Sequence, residues 1–351
     1  MNCLLNKIKI YITKANISIK NYIILILLIT INSTSFCQEF DYEKYKAKIS
    51  KYELEDLKMQ SHHLGLIYAC TKNTDSIALE KIALERIALS DEFISRNYEN
   101  GNIYHELGQG YCYFNEYKKA IIAFTKGLEY TDKKALNYKD RGDCKFEMND
   151  FRGARDDFEN SIKNNLEYLK DIYNKMGDCS MKLEEYSHAI SDYTKAIEFN
   201  PEQGVLYYFR GLCKFSMGNY RESIQDFSKI IEQYPDFTDA YFYRAQSKHK
   251  MEDYRGAIQD YNKTIEYDNN SDYNMAYFNR GINKYYLKDY NGAIIDLNKA
   301  IELNIDVRNA YLARGMCKCY LNDINAACLD LSKAGELGHP DAYDLIKKHC
   351  N

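Results

Sequence analysis

Residues 207–235 read YYFRGLCKFSMGNYRESIQDFSKIIEQYP. Tyr207, Gly211 and Phe215 fall on one helical face, and Ser223, Phe227 and Ile230 on another, with Met217-Gly218-Asn219 as the break between them. This predicts a helix-turn-helix hairpin whose two helices lie antiparallel. Neither helix can bury its apolar face alone, so the hairpin needs a neighbouring copy on each side.

The copies are there. Aligned on the first-helix glycine, the pattern recurs at Gly108, Gly142, Gly177, Gly211, Ala245, Gly281 and Gly315, at intervals of 34, 35, 34, 34, 36 and 34 residues. A small second-helix residue keeps step at Ala120, Ala154, Ala189, Ser223, Ala257, Ala293 and Ala327. Four residues before each glycine position stands a tyrosine: Tyr104, Tyr138, Tyr173, Tyr207, Tyr241, Tyr277 and Tyr311. Both recurring sets are expected to be packing elements, with Tyr277 buried.

With YHELGQGY at 104–111 and AIIAF at 120–124, the chain resembles the tetratricopeptide repeat family, whose pattern sets an aromatic, Leu-Gly and a second aromatic before Ala-x-x-x-Phe and a closing Pro. Tyrosine replaces the family's tryptophan, the closing proline survives as Pro201 and Pro235, and most copies carry Arg where the family has Leu. The resemblance implies an all-α fold, an α-solenoid of stacked hairpins in a right-handed superhelix. It covers 101–337 as seven repeats: 101–134, 135–169, 170–203, 204–237, 238–273, 274–307 and 308–337.

Residues 1–37 carry Lys7, Lys9, Lys14 and Lys20, then a ten-residue apolar run from Tyr22 to Ile31, and read as a signal peptide cleaved before Gln38. The run is half the ~20 residues that span a bilayer. Soluble export, periplasmic or secreted, is preferred to a lipid anchor at Cys37, because Phe36 is not the small residue such a site wants. Residues 38–100 read as a divergent N-terminal capping hairpin, with Leu64-Gly65-x-x-Tyr68 echoing a first helix and Ile77–Ile94 forming an amphipathic second one. At the other end, Gly338-His339-Pro340 stops the last repeat, and 338–351 holds a closing helix over Asp341–His349.

The 351-residue chain has a net charge of −4, which gives no reason to expect nucleic acid or an anionic membrane as partner. Of eleven cysteines, Cys144, Cys179, Cys213 and Cys317 sit two residues after the glycine of their copy. They read as small core filler rather than as disulfide partners, since helices pack ~8–10 Å apart. The seven histidines are scattered without metal-binding spacing, and no cofactor is expected.

Five copies share a triad: Arg141, Lys145, Asp157; Arg210, Lys214, Asp226; Arg244, Lys248, Asp260; Arg280, Lys284, Asp296; and Arg314, Lys318, Asp330. Copy three keeps only Asp192, with Met176 and Ser180 in the cation positions. The preferred reading is a structural ion ladder in which Asp192 reaches forward to Arg210 or Lys214; the other is a row of cations awaiting an anionic ligand.

In the family, first-helix positions beside the core ones line the concave face. Here they are His105, Gln109, Lys139, Asp143, Asn174 and Asp178, and then Tyr208, Leu212, Phe242, Gln246, Phe278, Ile282, Leu312 and Met316. The second group suits an apolar segment of a protein or peptide partner. No nucleophile–base pair, catalytic carboxylate pair or phosphate loop stands out, so the expectation is a non-catalytic exported scaffold. The alternative is an exported module binding a small ligand or glycan on its tyrosines, of which the chain has 34.

Overall fold

The computed structural model describes residues 41–52, 57, 76–131, 134–164, 169–268 and 273–350. The leader at 1–37 and the Leu64–Tyr68 echo lie outside them. Regular structure among the described residues is entirely helical, and the chain divides into two compact units, 1–167 and 168–351.

The first unit begins with α1 (Tyr42–Ile49) packed on the long α2 (Ser76–Ser95). Ile49, Leu57, Ala88, Leu89 and Phe93 form their shared core. The Arg96 guanidinium donates to the carbonyl oxygens of Ser50 (2.8 Å) and Tyr52, satisfying the open carbonyl end of α1. Two hairpins follow: α3 (Gly101–Tyr113) with α4 (Tyr117–Glu129), and α5 (Ala135–Glu147) with α6 (Phe151–Lys163).

The second unit holds five hairpins. They are α7 (Leu169–Lys182) with α8 (Tyr186–Phe199), α9 (Gly204–Ser216) with α10 (Tyr220–Gln233), α11 (Thr238–Lys250) with α12 (Tyr254–Tyr267), α13 (Met275–Tyr286) with α14 (Tyr290–Glu302), and α15 (Val307–Tyr320) with α16 (Ile324–Glu336). A final helix, α17 (Ala342–His349), packs on α16.

Each hairpin reverses at the residue seven beyond the glycine position. Asn115, Asn149, Glu184, Gly218, Glu252, Lys288 and Asn322 all have positive φ, from 58° to 80°. The following amide then reaches back to a first-helix carbonyl, as in Asn219 N–H to Lys214 O at 2.9 Å, which ends the helix with its carbonyls satisfied. Asp150, Asp253, Asp289 and Asp323 cap the second helix by accepting from the amides of Gly153, Gly256, Gly292 and Ala326.

Inside the hairpin, the first-helix glycine is a seat for a ring. A Cβ built on Gly108, Gly142, Gly177 or Gly211 would stand 2.5–2.9 Å from Phe124, Phe158, Tyr193 or Phe227, and one on Gly281 or Gly315 about as close to Leu297 or Leu331. The small second-helix residues are all fully buried, as are Leu206, Ala240, Ala276 and Ala310, one position before the repeated tyrosine. The tyrosines themselves divide. Tyr104 and Tyr241 are buried, but Tyr138, Tyr173, Tyr207, Tyr277 and Tyr311 are half-buried at the margin of the core. The core line thus runs one residue earlier than the tyrosine row suggested, and in five copies the tyrosine ring lies beside the guanidinium three residues on, 5.6 Å away in the Tyr277–Arg280 pair.

The cysteines divide by position. Cys213 and Cys317 are buried free thiols, but Cys328 on α16 and Cys350 beyond α17 form a disulfide. Neither stands at a glycine-plus-two position, and the chain returning from α17 brings their Cα atoms to 5.9 Å, within a disulfide's reach.

Two outcomes follow. Replacing the ring seat by Gly211→Leu forces Cβ into Phe227 and lowers unfolding stability by about 1–3 kcal/mol in spite of leucine's better helix propensity, read from urea denaturation. In the α1–α2 contact, burial raises the Glu85 carboxyl to about 7, only partly offset by Lys81 and Lys48. The folded state therefore holds a proton that the unfolded chain (~4.3) releases, so protection of this contact falls as pH rises from about 4.5 to 7 and levels off above. Hydrogen exchange of the α2 amides measured across that range shows the fall, and Glu85→Gln abolishes it.

Candidate functional site

Two faces come forward as candidates once the charged triads are placed. In each triad the guanidinium grips the aspartate of its own copy through two bonds. Arg244 Nε donates to Asp260 Oδ2 at 2.9 Å and Nη2 to Oδ1 at 2.7 Å, and Lys248 adds a third cationic contact at 2.7 Å. Arg141–Asp157, Arg210–Asp226, Arg280–Asp296 and Arg314–Asp330 repeat this geometry, with Lys145, Lys214, Lys284 and Lys318 completing it. All five carboxylates are buried, and the central carbon of each guanidinium lies 5.0–5.6 Å from the centre of the tyrosine ring three residues earlier.

The remaining guanidinium nitrogen, Nη1, reaches into the preceding copy. Arg141, Arg210 and Arg244 donate through Nη1 to the hydroxyls of Thr125, Thr194 and Ser228, and Arg280 and Arg314 to the amide oxygens of Asn262 and Asn298. Asp192 is buried, and Arg210 and Lys214 both bind Asp226; the tie that Arg210 sends back to α8 ends on Thr194. Sequence reading missed these acceptors, although their signal is regular: each stands five residues after the small second-helix residue. Where the next copy has Met176 instead of Arg, that position is Glu159, which pairs with Arg155 in its own helix.

A row of apolar first-helix residues occupies the second unit. Tyr208, Leu212, Phe242, Gln246, Phe278, Ile282, Leu312 and Met316 are all half-buried. Several rest on neighbouring groups: Tyr208 touches Phe227 of α10 and Phe237 of the connection that follows, Phe242 touches Tyr261 of α12 and Tyr273 of the next connection, and Phe278 and Ile282 lie on the Ala293–Leu297 core. Burial, with the Asp239 carboxylate next, pushes the Tyr208 phenol above its ordinary range; Asp239 itself accepts from the Tyr273 hydroxyl. Earlier in the same unit, Asp178 is engaged by the Tyr193 hydroxyl at 2.6 Å.

The first unit instead gathers polar groups. Asp140 accepts from His105 Nε2 (2.9 Å), Gln109 Nε2 (3.1 Å) and Lys139 Nζ (3.0 Å), and Lys139 also reaches Asp143 at 3.0 Å. Buried Arg86 on α2 contacts Glu106 and Gln109, both at 2.9 Å. Burial works to raise the Asp140 carboxyl, but its bond to His105 and the Lys139 charge outweigh burial and hold it well below the carboxylate range. These groups border a cavity of about 310 Å³ between α2, α3, α4 and α5, walled by Ile82, Arg86, Gln109, Cys112, Phe124 and Asp140 among others. Arg86 and Asp140 were not among the sequence candidates. Asp140 stands two before the glycine, a position that in the second unit carries Phe209 and Tyr243, stacked on Tyr193 and Phe227 of the preceding copy.

With hairpins, turns and tyrosine–arginine register in place, the repeat can be compared. Family profiles of the tetratricopeptide repeat match residues 170–203 and 207–236. The C-terminal part of a tetratricopeptide repeat-containing protein from Cytophaga hutchinsonii superposes with a TM-score of 0.56 at 19% identity, over 68% of this chain and 97% of that one. Two of this chain's hairpins thus match the tetratricopeptide repeat, and the helical repeat fold around them is shared with the C. hutchinsonii structure. A repeat protein from Parabacteroides merdae (TM-score 0.45, 19% identity, 77% of this chain and 99% of that one) also matches. So does YrrB, a repeat protein with an unusual peptide-binding site (0.48, 23%, 52% and 93%). Among curated proteins, no sequence matches. No helix of the described residues is long and apolar enough to cross a membrane, and none of their His, Cys, Asp and Glu groups is arranged to hold a metal ion.

Removing one member of a triad leaves a buried charge with too few partners. Arg244→Met should cost about 3–5 kcal/mol, because Asp260 keeps only Lys248, whereas Arg244→Met with Asp260→Leu recovers most of the loss. Urea unfolding of the two variants separates these outcomes; equal stability of the single variant and the parent would mean the ladder contributes nothing.

Proposed function

We propose that this protein is a non-catalytic scaffold, exported from the cytoplasm, that holds a protein or peptide partner along the concave, first-helix face of its second unit. One observation carries the reading. Eight groove-position side chains, seven of them apolar, are half-buried, so that a partner segment could bury the area that remains. The charged triads are spent within the stack, which leaves shape and apolar area rather than charge to select the partner. Export is supported by the lysine-rich, apolar leader of 1–37 and by the Cys328–Cys350 disulfide, a bond that persists in oxidising compartments.

The test uses the full chain expressed in its own host with a photo-crosslinker at Gln246. The mature protein is expected outside the cytoplasm with Gln38 or a near neighbour as its first residue by mass spectrometry. A discrete crosslinked protein is expected that disappears in Phe242→Ala with Phe278→Ala while the circular dichroism stays unchanged. An intact Met1 in the cytoplasmic fraction overturns export. Crosslinks indifferent to the double substitution overturn the face.

A further inference from the structure

Two thiols meet in the first unit at a place the repeat pattern does not require. Cys112, on the last turn of α3, and Cys144, on α5, bring their sulfurs to 2.8 Å across neighbouring first helices, against ~2.05 Å for a bonded pair. Cys144 follows the glycine-plus-two pattern of core filler and is almost wholly buried. Cys112 does not follow it: it stands four after Gly108, is half-exposed and walls the 310 Å³ cavity. One thiol is therefore open to a reagent, and the other is reachable only from the first.

We propose that Cys112 and Cys144 are an exchange pair, a site at which a low-molecular-weight disulfide oxidises the protein to a second, reversible cross-link between the first and second hairpins. Cys112, as thiolate, attacks one sulfur of the reagent. The reagent's disulfide breaks, one of its halves leaves as a thiol after taking up a proton, and a mixed disulfide remains on Cys112. Cys144 then gives up its proton, attacks the Cys112 sulfur, and expels the second half as thiol. The pair loses two electrons and two protons, and the reagent gains both. The hydrogen bond with Cys112, then burial and the carboxylates of Asp140 and Asp143, favour the protonated form of Cys144, so the second step is the slower one and quickens in base. The closed pair would tie α3 to α5 on the wall of the cavity, the same wall that carries Gln109 and Asp140.

Oxidised glutathione serves as the probe on the full chain at pH 8, followed by alkylation, proteolysis and mass spectrometry. The expected product is a peptide linking Cys112 to Cys144, two hydrogens lighter than the sum of its parts and split by dithiothreitol. Cys144→Ser should stop at a glutathione adduct on Cys112, and Cys112→Ser should leave Cys144 unmodified in the native protein. The proposal is overturned if the parent keeps both cysteines alkylatable, or keeps glutathione on Cys112 without resolving it. Both variants retain Cys328–Cys350, and the helical circular dichroism of each confirms that an unmodified thiol belongs to a folded chain.

Discussion

Everything in the stack depends on a ring resting against a backbone. Where the first helix carries glycine, the second-helix phenylalanine, tyrosine or leucine sixteen residues on comes within 2.5–3.1 Å of where a Cβ would be, closer than side chains pack against one another. That closeness fixes the separation of the two helices in a hairpin, and with it the position of every neighbour on the second helix. The aspartate just before the ring is thereby delivered to the arginine just before the glycine. Apolar seat and ion pair are consecutive residues on both helices, so one cannot form out of register without breaking the other.

Charge is used here to join copies as much as to stabilise them. A guanidinium has more donors than one carboxylate can take, and the surplus N–H goes to a hydroxyl or amide of the preceding copy. The aromatic contacts run the same way: Phe209 and Tyr243 each lay a ring on the second-helix ring of the copy before. A one-dimensional array has only such nearest-neighbour terms to make it cooperative.

The 34-residue period, the hairpins and their turns were legible because each depends on residues a few positions apart. The pairing of Arg with Asp was legible for the same reason, since both belong to one copy. The acceptors Thr125, Thr194 and Ser228 were not, because their role appears only when the preceding copy is laid alongside, and polar residues on an outer helix face otherwise read as solvated. Asp140 and Arg86 were hidden differently. They act in a cluster that α2 completes, and α2 belongs to the irregular N-terminal region where the period offers no guide. Cys328 and Cys350 escaped because they lie off the glycine-plus-two register by which the cysteines were judged.

The last copy carries Ser332 at the position from which Thr125, Thr194 and Ser228 each receive an arginine, and here the serine faces solvent. The neighbour that α16 meets is α17, held by Cys328–Cys350. A covalent bond therefore fastens α17 to the last hairpin, and its reduction would leave that contact to packing alone.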